Sequence, residues 1–102
     1  MADEMQWPSK LERVVLQLLI GGGESYGLEL VKKSDGALKR GTVYVTLQRM
    51  EEKGFVESRQ EEHKPEHLSA PRRLYKVTGL GQRALRAVEM GEAMMAGKMV
   101  TT

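Results

Sequence analysis

The first part of the chain carries apolar residues at helical spacing. The segment from Ser9 to Glu12 is a capping box, in which the serine side chain accepts a hydrogen bond from the third helical amide and the glutamate reaches back. Gly21-Gly22-Gly23 is predicted to end this first helix, because glycine tolerates the left-handed conformation at a helix C-terminus. Between these signals, apolar residues occupy one helical face: Leu11, Val14, Val15, Leu18 and Leu19.

Two further helices are predicted before residue 54. Ser25 is a plausible N-cap for a second helix from about Tyr26 to Lys33. Asp35-Gly36 is a turn signal that separates this helix from the next. A third helix is predicted from about Gly41 to Lys53, with Gly54 as its stop signal.

The second half of the chain predicts a hairpin and a last helix. Strand composition begins at Phe55 and continues to Glu61, and a second strand covers Arg73 to Val77, with a charged loop between them. Thr78 is the expected N-cap of the last helix. The order of elements predicts a mainly α fold with a small β-hairpin, a winged helix-turn-helix in residues 1–78 with a dimerisation helix in 79–102. That helix has an apolar stripe: Leu80, Ala84, Val88, Gly91, Met95 and Met99.

The third helix has two faces of different chemistry. Its core face is expected to contain Val43, Leu47 and Met50, at i, i+4 and i+7. The opposite side is expected to present small or polar residues, as a recognition helix in the major groove requires. The alternative is a solvated face beside a half-buried tyrosine. The residues assigned to the opposite side are Thr42, Val45, Thr46 and Arg49.

Two blocks of sequence resemble the PadR family of winged-helix transcription regulators. The first block is Gly41-Thr42-Val43-Tyr44, followed by Leu47, Met50-Glu51 and Gly54. The departures are Val43 and Met50, which are conservative, and Arg40, where the family often has proline. The resemblance covers about Leu11 to Leu85. The second block fits the family's second strand and the start of its last helix: Pro71, Arg72, Arg73, Tyr75, Thr78 and Gly81.

The resemblance implies a homodimeric regulator, most simply a repressor, that binds an inverted repeat in double-stranded DNA. Half-sites are expected about one helical turn, ~10 bp, apart or a multiple of it. If Arg73 shares a strand face with Tyr75 and Val77, its role is structural and Arg72 is the better candidate for a DNA contact. The residues predicted to contact DNA are Lys39, Arg40, Thr42, Tyr44, Val45, Thr46, Arg49, Lys64, Arg72 and Arg73.

Charge supports this assignment through its distribution. The formal net charge of the 102 residues is only +2. Between Lys32 and Lys76, however, there are 11 Lys or Arg residues against 7 Asp or Glu residues. Positive charge is therefore concentrated in the segment assigned to DNA, as electrostatic binding to phosphate requires.

The last helix and the N-terminal segment are the candidates for subunit contact. In the family the last helix pairs with the first helix of the other subunit; the alternative is that it packs on its own domain. Its length favours both, with the near end packed on its own domain and the far end across the dimer. Trp7, the single tryptophan, is expected to pack at the end of the first helix or in the dimer seam, or else to contact a small-molecule inducer. The predicted interface residues are Leu11, Val15, Leu80, Ala84, Val88, Gly91, Met95 and Met99.

Several function classes find no support in the sequence. There is no cysteine, which excludes disulfides and thiol chemistry and fits a reducing cytoplasm. Gly21-Gly22-Gly23 lacks the Gly-Lys-Ser/Thr of a phosphate loop, and Pro65 prevents His63 and His67 from sharing a helical face for a metal. No catalytic activity, cofactor, metal or membrane segment is expected. The rival interpretation is a winged helix used for protein–protein contact without specific DNA binding.

Overall fold

The structure, a computed structural model, describes residues 6–62 and 72–95. The predictions made for His63, Lys64, His67 and Met99 lie outside these residues. Within them the order helix, helix, helix, hairpin, helix is confirmed, with one additional short strand. The elements are α1 (Lys10–Gly22), β1 (Ser25–Tyr26), α2 (Gly27–Lys33), α3 (Val43–Lys53), β2 (Val56–Gln60), β3 (Arg73–Val77) and α4 (Gly79–Met95).

The sheet has three antiparallel strands in the order β1-β3-β2. The predicted hairpin pairs Val56 with Val77 and Gln60 with Arg73. Strand β1 was not predicted, and its presence corrects the role given to Ser25. This residue is buried and pairs with Tyr75 in β3, so it does not cap α2. The cap position belongs to Tyr26, whose backbone amide donates to Glu29 Oε1 at 2.8 Å.

Helix α1 forms as its sequence signals predict. The Glu12 amide donates to Ser9 Oγ at 3.2 Å, and the Ser9 amide donates to Glu12 Oε1 at 2.9 Å, which completes the capping box. The helix ends at Gly22, and Gly23 follows with a φ of 79° while its amide donates to the Leu19 carbonyl. The left-handed region explains why a glycine is required at this position.

The core lies between the helices and one face of the sheet. Val15 and Ala84, both predicted at the dimer interface, belong to this core, and that assignment is corrected here. An apolar stripe shows that a helix face is covered but does not show by what, and α1 and α4 cover these two residues from within the chain. The buried apolar residues are Val15, Leu16, Leu19, Leu30, Leu38, Val43, Leu47, Met50, Phe55, Val56, Tyr75, Ala84 and Leu85.

The first turn of α4 packs closely against the end of the sheet. Thr78 caps it as predicted: its hydroxyl accepts from the Gly81 amide at 3.0 Å and donates to the Gly54 carbonyl at 2.6 Å. A Cβ atom at Gly81 would overlap the carbonyl oxygen of Phe55 and the Val77 side chain. Only glycine therefore allows α4 to approach the β2 end of the sheet this closely.

Among residues 6–62 and 72–95, one charged side chain is buried. Glu12 is 2% exposed, and its carboxylate accepts from Lys53 Nζ at 2.8 and 3.1 Å, besides the Ser9 amide. Because a buried carboxylate needs a partner, this contact fixes the start of α1 against the end of α3. The two partners are 41 residues apart in the chain, so local sequence patterns do not reveal this ion pair.

Candidate nucleic-acid interface

Helix α3 presents one face to the core and the other to solvent. Val43, Leu47 and Met50 have no exposed area, which confirms the predicted core face. The helix ends at Gly54, the C-cap residue, which adopts a left-handed conformation with a φ of 84°. The solvent side carries a mixed set of side chains: Tyr44, Val45, Gln48, Arg49, Glu51 and Glu52.

Thr46 does not belong to this outward set, contrary to the sequence-based assignment. Its side chain is 8% exposed, and its hydroxyl donates to the Thr42 carbonyl at 3.2 Å. The reason is positional: Thr46 lies three residues after Val43 and four before Met50, so it shares their side of the helix. Gln48 was missed, although its spacing of four residues from Tyr44 and three from Val45 would have placed it on the outward face.

The segment before α3 is cationic and exposed. The helix begins at Val43, two residues later than predicted, and Lys39, Arg40 and Thr42 precede it with exposed side chains. The Lys39 carbonyl accepts from the Val43 amide at 2.9 Å, so this turn is attached to the first turn of the helix. Cationic side chains stand here beside the amide end of α3, an arrangement that favours phosphate.

Tyr44 connects α3 to the start of α2. A Cβ atom at Gly27 would come within 2.6 Å of the Tyr44 ring, so the ring lies directly over this glycine. The tyrosine nevertheless remains 48% exposed. It therefore combines the two roles that the sequence left open, packing on one side and a solvent-accessible surface on the other.

The β2–β3 hairpin, here called the wing, has an arginine held in place at the loop end of its strands. The Arg72 guanidinium lies 3.9 Å from the centre of the Tyr26 ring and 3.7 Å from Glu61. The Tyr26 hydroxyl donates to the same carboxylate, and this hydrogen bond, together with desolvation, raises the pKa of Tyr26. Arg72 is thus positioned by a ring below and a carboxylate beside it.

Arg73 makes a different contact, on the side of the sheet that faces α3. Its Nη1 donates to Ser58 Oγ at 3.0 Å, and Ser58 Oγ donates to Glu51 Oε2 at 2.7 Å. Tyr75 lies on the same strand face, and burial raises its pKa. The chain of contacts attaches the wing to α3, in line with the structural role expected if Arg73 shares this face.

Other wing cations are paired with carboxylates. Arg59 donates to both oxygens of Glu24, at 2.9 and 3.0 Å, which lowers the pKa of Glu24 and raises that of Arg59. Lys76 Nζ lies 3.5 Å from Glu57. Arg72 lies 3.7 Å from Glu61, a longer distance than in either of these pairs, so it is the one of these three wing cations that an external anion can most readily reach.

A groove of about 460 Å³ opens between α2, the start of α3 and the loop end of the wing strands. Its lining combines aromatic rings with three cationic side chains and one carboxylate, that of Glu29. The excess of positive charge suits a phosphate-sugar backbone. The residues that give it this character are Tyr26, Lys32, Tyr44, Arg72 and Arg73.

A second, shallow groove lies on α4, away from α3. Trp7 is 56% exposed and lines it together with Val88, Gly91 and Met95. Its volume is about 510 Å³ and its surface is largely apolar. Of the predicted interface residues, Leu11, Leu80, Gly91 and Met95 are exposed and Val88 is partly buried. Coverage of this surface by a second subunit remains a prediction.

Residues 6–62 and 72–95 contain neither a membrane-spanning helix nor a cluster of metal ligands. No helix in this part of the chain is long and apolar enough to cross a membrane. Over the same residues, no group of three or more His, Cys, Asp or Glu side chains could hold a metal ion.

The helices, the three-stranded sheet and the exposed α3 define a winged helix. The sequence matches the model of the transcriptional regulator PadR-like family over residues 15–87. This chain therefore belongs to the PadR-like family of transcriptional regulators. No curated protein matches the sequence significantly.

Solved structures agree with this assignment. A PadR family transcriptional regulator from Eggerthella lenta DSM 2243 is 30% identical, with a TM-score of 0.69 over 88% of this chain and 80% of that one. A PadR-like transcription factor from Bacteroides fragilis is 24% identical, with a TM-score of 0.74 over 86% and 84%. Bacillus subtilis PadR in complex with operator DNA is 20% identical, with a TM-score of 0.67 over 76% and 45%. The last two likenesses concern the fold alone.

Proposed function

We propose that this protein is a homodimeric, sequence-specific DNA-binding repressor. The observation that carries the proposal is the division of α3 into a fully buried face and an outward polar face beside a cationic groove. A helix fixed in this way can enter the major groove without losing its own packing. The operator-bound Bacillus subtilis PadR has the same fold, which supports the proposal by analogy.

Contacts to the DNA backbone and to the bases come from different residues. Lys39 and Arg40 are exposed just before α3, and Arg72 is exposed at the groove. All three are assigned to phosphates, which supply affinity and orientation. Thr42 and Tyr44 add hydroxyl groups. Arg49 and Val45 lie on the outward side of α3 and are assigned to base edges.

The partner proposed for α4 is a second copy of this chain. Trp7, Val88, Gly91 and Met95 form an apolar groove that water covers in the single chain, and burying it against a copy is favourable. A symmetric pair of winged helices would place two α3 helices on an inverted repeat. In this division, residues 1–78 bind DNA and 79–102 join the subunits.

The proposed response to a small molecule involves the same groove. Trp7 offers a half-exposed indole next to α4, and a planar ligand stacked on it would change the spacing of the two α3 helices. Titration of planar cations and phenolic acids against Trp7 fluorescence tests this part separately. A flat response to all of them would end the inducer proposal without affecting DNA binding.

The test of the main proposal is fluorescence anisotropy with the DNA upstream of this protein's own gene. Scrambled duplex is the control, and both are measured at several salt concentrations. We expect tighter binding to the upstream DNA, with affinity falling steeply as salt rises. Arg49→Ala should cost roughly 1–3 kcal/mol on the preferred duplex if it reads a base. A uniform loss on all DNA would assign Arg49 to phosphate.

One observation favours a second candidate, a winged helix that binds another protein. Carboxylates neutralise wing cations in the pairs Arg59–Glu24, Lys76–Glu57 and Arg72–Glu61. A surface with balanced charge suits a protein partner better than it suits phosphate. Weak binding to both duplexes at physiological salt would favour this candidate.

A further inference from the structure

The outward face of α3 divides into positions that are already engaged and positions that are open. Glu51 accepts from Ser58, and Tyr44 lies over Gly27. Glu52 stands near the C-terminal end, and its carboxylate would repel phosphates. The positions that remain for neighbouring base pairs are Val45, Gln48 and Arg49.

We infer that Gln48 selects an adenine in each half-site of the operator. The inference rests on the proposed function and names the base that one residue reads. Gln48 is exposed, and it lies one turn after Val45 on the same side of the helix. It therefore projects beyond the first turn, in the direction in which α3 would extend along the groove.

The chemistry of the carboxamide determines which base it prefers. Adenine presents an acceptor at N7 and a donor at the N6 amino group on its major-groove edge, and a glutamine amide offers the matching donor and acceptor. Guanine presents two acceptors, which suit the all-donor guanidinium of Arg49 better. Gln48 and Arg49 therefore read different bases, because neighbouring residues on a helix point about 100° apart.

Val45 allows the helix to approach closely enough for this contact. Its side chain is 50% exposed. Because it is apolar it binds water weakly, and because it is short it does not keep the helix away from the bases. The methyl group of thymine is its natural neighbour in the major groove. An A·T pair at the Gln48 position thus agrees with the chemistry of both side chains.

The experiment selects preferred duplexes from a randomised library with three full-length proteins. These are the wild type, Gln48→Ala and the control Gln82→Ala, which changes an exposed glutamine on α4 instead. Alanine is a good helix former, so neither variant should disturb folding, and circular dichroism checks this. The wild type and Gln82→Ala should select the same motif. Gln48→Ala should lose its preference at one A·T position by roughly 5- to 150-fold.

A base analogue separates a direct contact from an indirect effect. Replacing the selected adenine by 7-deazaadenine removes the N7 acceptor but leaves the base pair intact. It should weaken the wild type and have no further effect on Gln48→Ala, since the same contact cannot be lost twice. Additive losses, or an unchanged motif for Gln48→Ala, would overturn the inference alone. A wild type that selects no sequence would overturn the proposed function as well.

Discussion

Two regions of the molecule expose different kinds of side chain to solvent. One is the head, defined as residues 10–62 and 72–78, and the other is the far half of α4, from Ala87 to Met95. On α3 the exposed positions include Gln48 and Arg49, above a face with no exposed area. On α4 the exposed side chains include Met90, Met94 and Met95, the last of them 88% exposed. The head therefore presents polar groups on a rigid support, whereas α4 presents flexible apolar side chains.

The difference indicates two kinds of partner and two responses to salt. Contacts with phosphate release counterions and weaken as ionic strength rises. Burial of methionine and tryptophan depends on apolar area and changes little with moderate salt. Salt should therefore separate DNA binding from subunit association in a single protein preparation. The following changes test the two regions and their junction, from the largest expected effect to the smallest.

Gly81→Ala should disrupt the junction between the two regions. The added Cβ would overlap the Phe55 carbonyl oxygen, which is backbone and cannot rotate away. We expect the free energy of unfolding to fall by about 3 kcal/mol, the upper end of the usual range for overpacked cores. Gly21→Ala is the matched control, because a Cβ there meets nothing within 4 Å and should stabilise α1 by up to about 1 kcal/mol. Similar urea midpoints for both variants would contradict the close approach of α4.

Lys53→Met should destabilise the head by about 2 kcal/mol. It leaves the Glu12 carboxylate buried with only its amide contact to Ser9, and the cost is moderated because Lys53 itself is 27% exposed. The double variant with Glu12→Gln removes the unpaired charge and should recover part of the loss. Chemical denaturation of the two variants measures this; a double variant that is less stable than Lys53→Met would contradict a burial penalty.

Met95→Asp should weaken association of the subunits by about tenfold, or about 1.4 kcal/mol, because it places a charge in the apolar groove. Met90→Asp is the control, since Met90 is 61% exposed but does not line this groove. Sedimentation or light scattering over a range of concentrations should separate the two variants. Equal association constants would move the contact surface to another part of α4.

Arg72→Ala should have the smallest effect, about 0.5–1 kcal/mol on all duplexes alike, because an exposed arginine on phosphate carries no sequence information. The logarithmic salt slope of DNA affinity should fall by about 1. Arg59→Ala is the control, since its guanidinium is already bound to Glu24 and should not change the slope. A change in operator preference for Arg72→Ala would place this residue on a base edge.

Local signals predicted the elements well. The capping box at Ser9 and Glu12, the glycine stop at Gly54 and the cap at Thr78 depend on residues only a few positions apart. The burial of Val43, Leu47 and Met50 followed from their helical spacing. Thr46 was assigned to the outward side because of its hydroxyl, although its spacing from Val43 and Met50 places it on their buried side, where the hydroxyl bonds to its own helix.

Features that depend on distant residues could not be predicted. Strand β1 is two residues long and exists only because β3, about fifty positions later, pairs with it. Glu12 looked like a surface helix cap, and only the fold reveals Lys53 beside it. Val15 and Ala84 were assigned to a second subunit because a stripe of apolar positions does not identify the element that covers it. For the candidate site, the sequence identified the cations but not which carboxylates neutralise them.

The strand order has a consequence for how the protein is made. Both β1 and β2 pair only with β3, so neither edge strand has its partner until a ribosome has delivered Val77. We expect released chains truncated before Arg73 to hold α3 without the sheet and therefore without the wing. Specific operator binding by such truncated chains would contradict this expectation. On the proposed function, copies that lack β3 would not compete for operator DNA with copies that contain it.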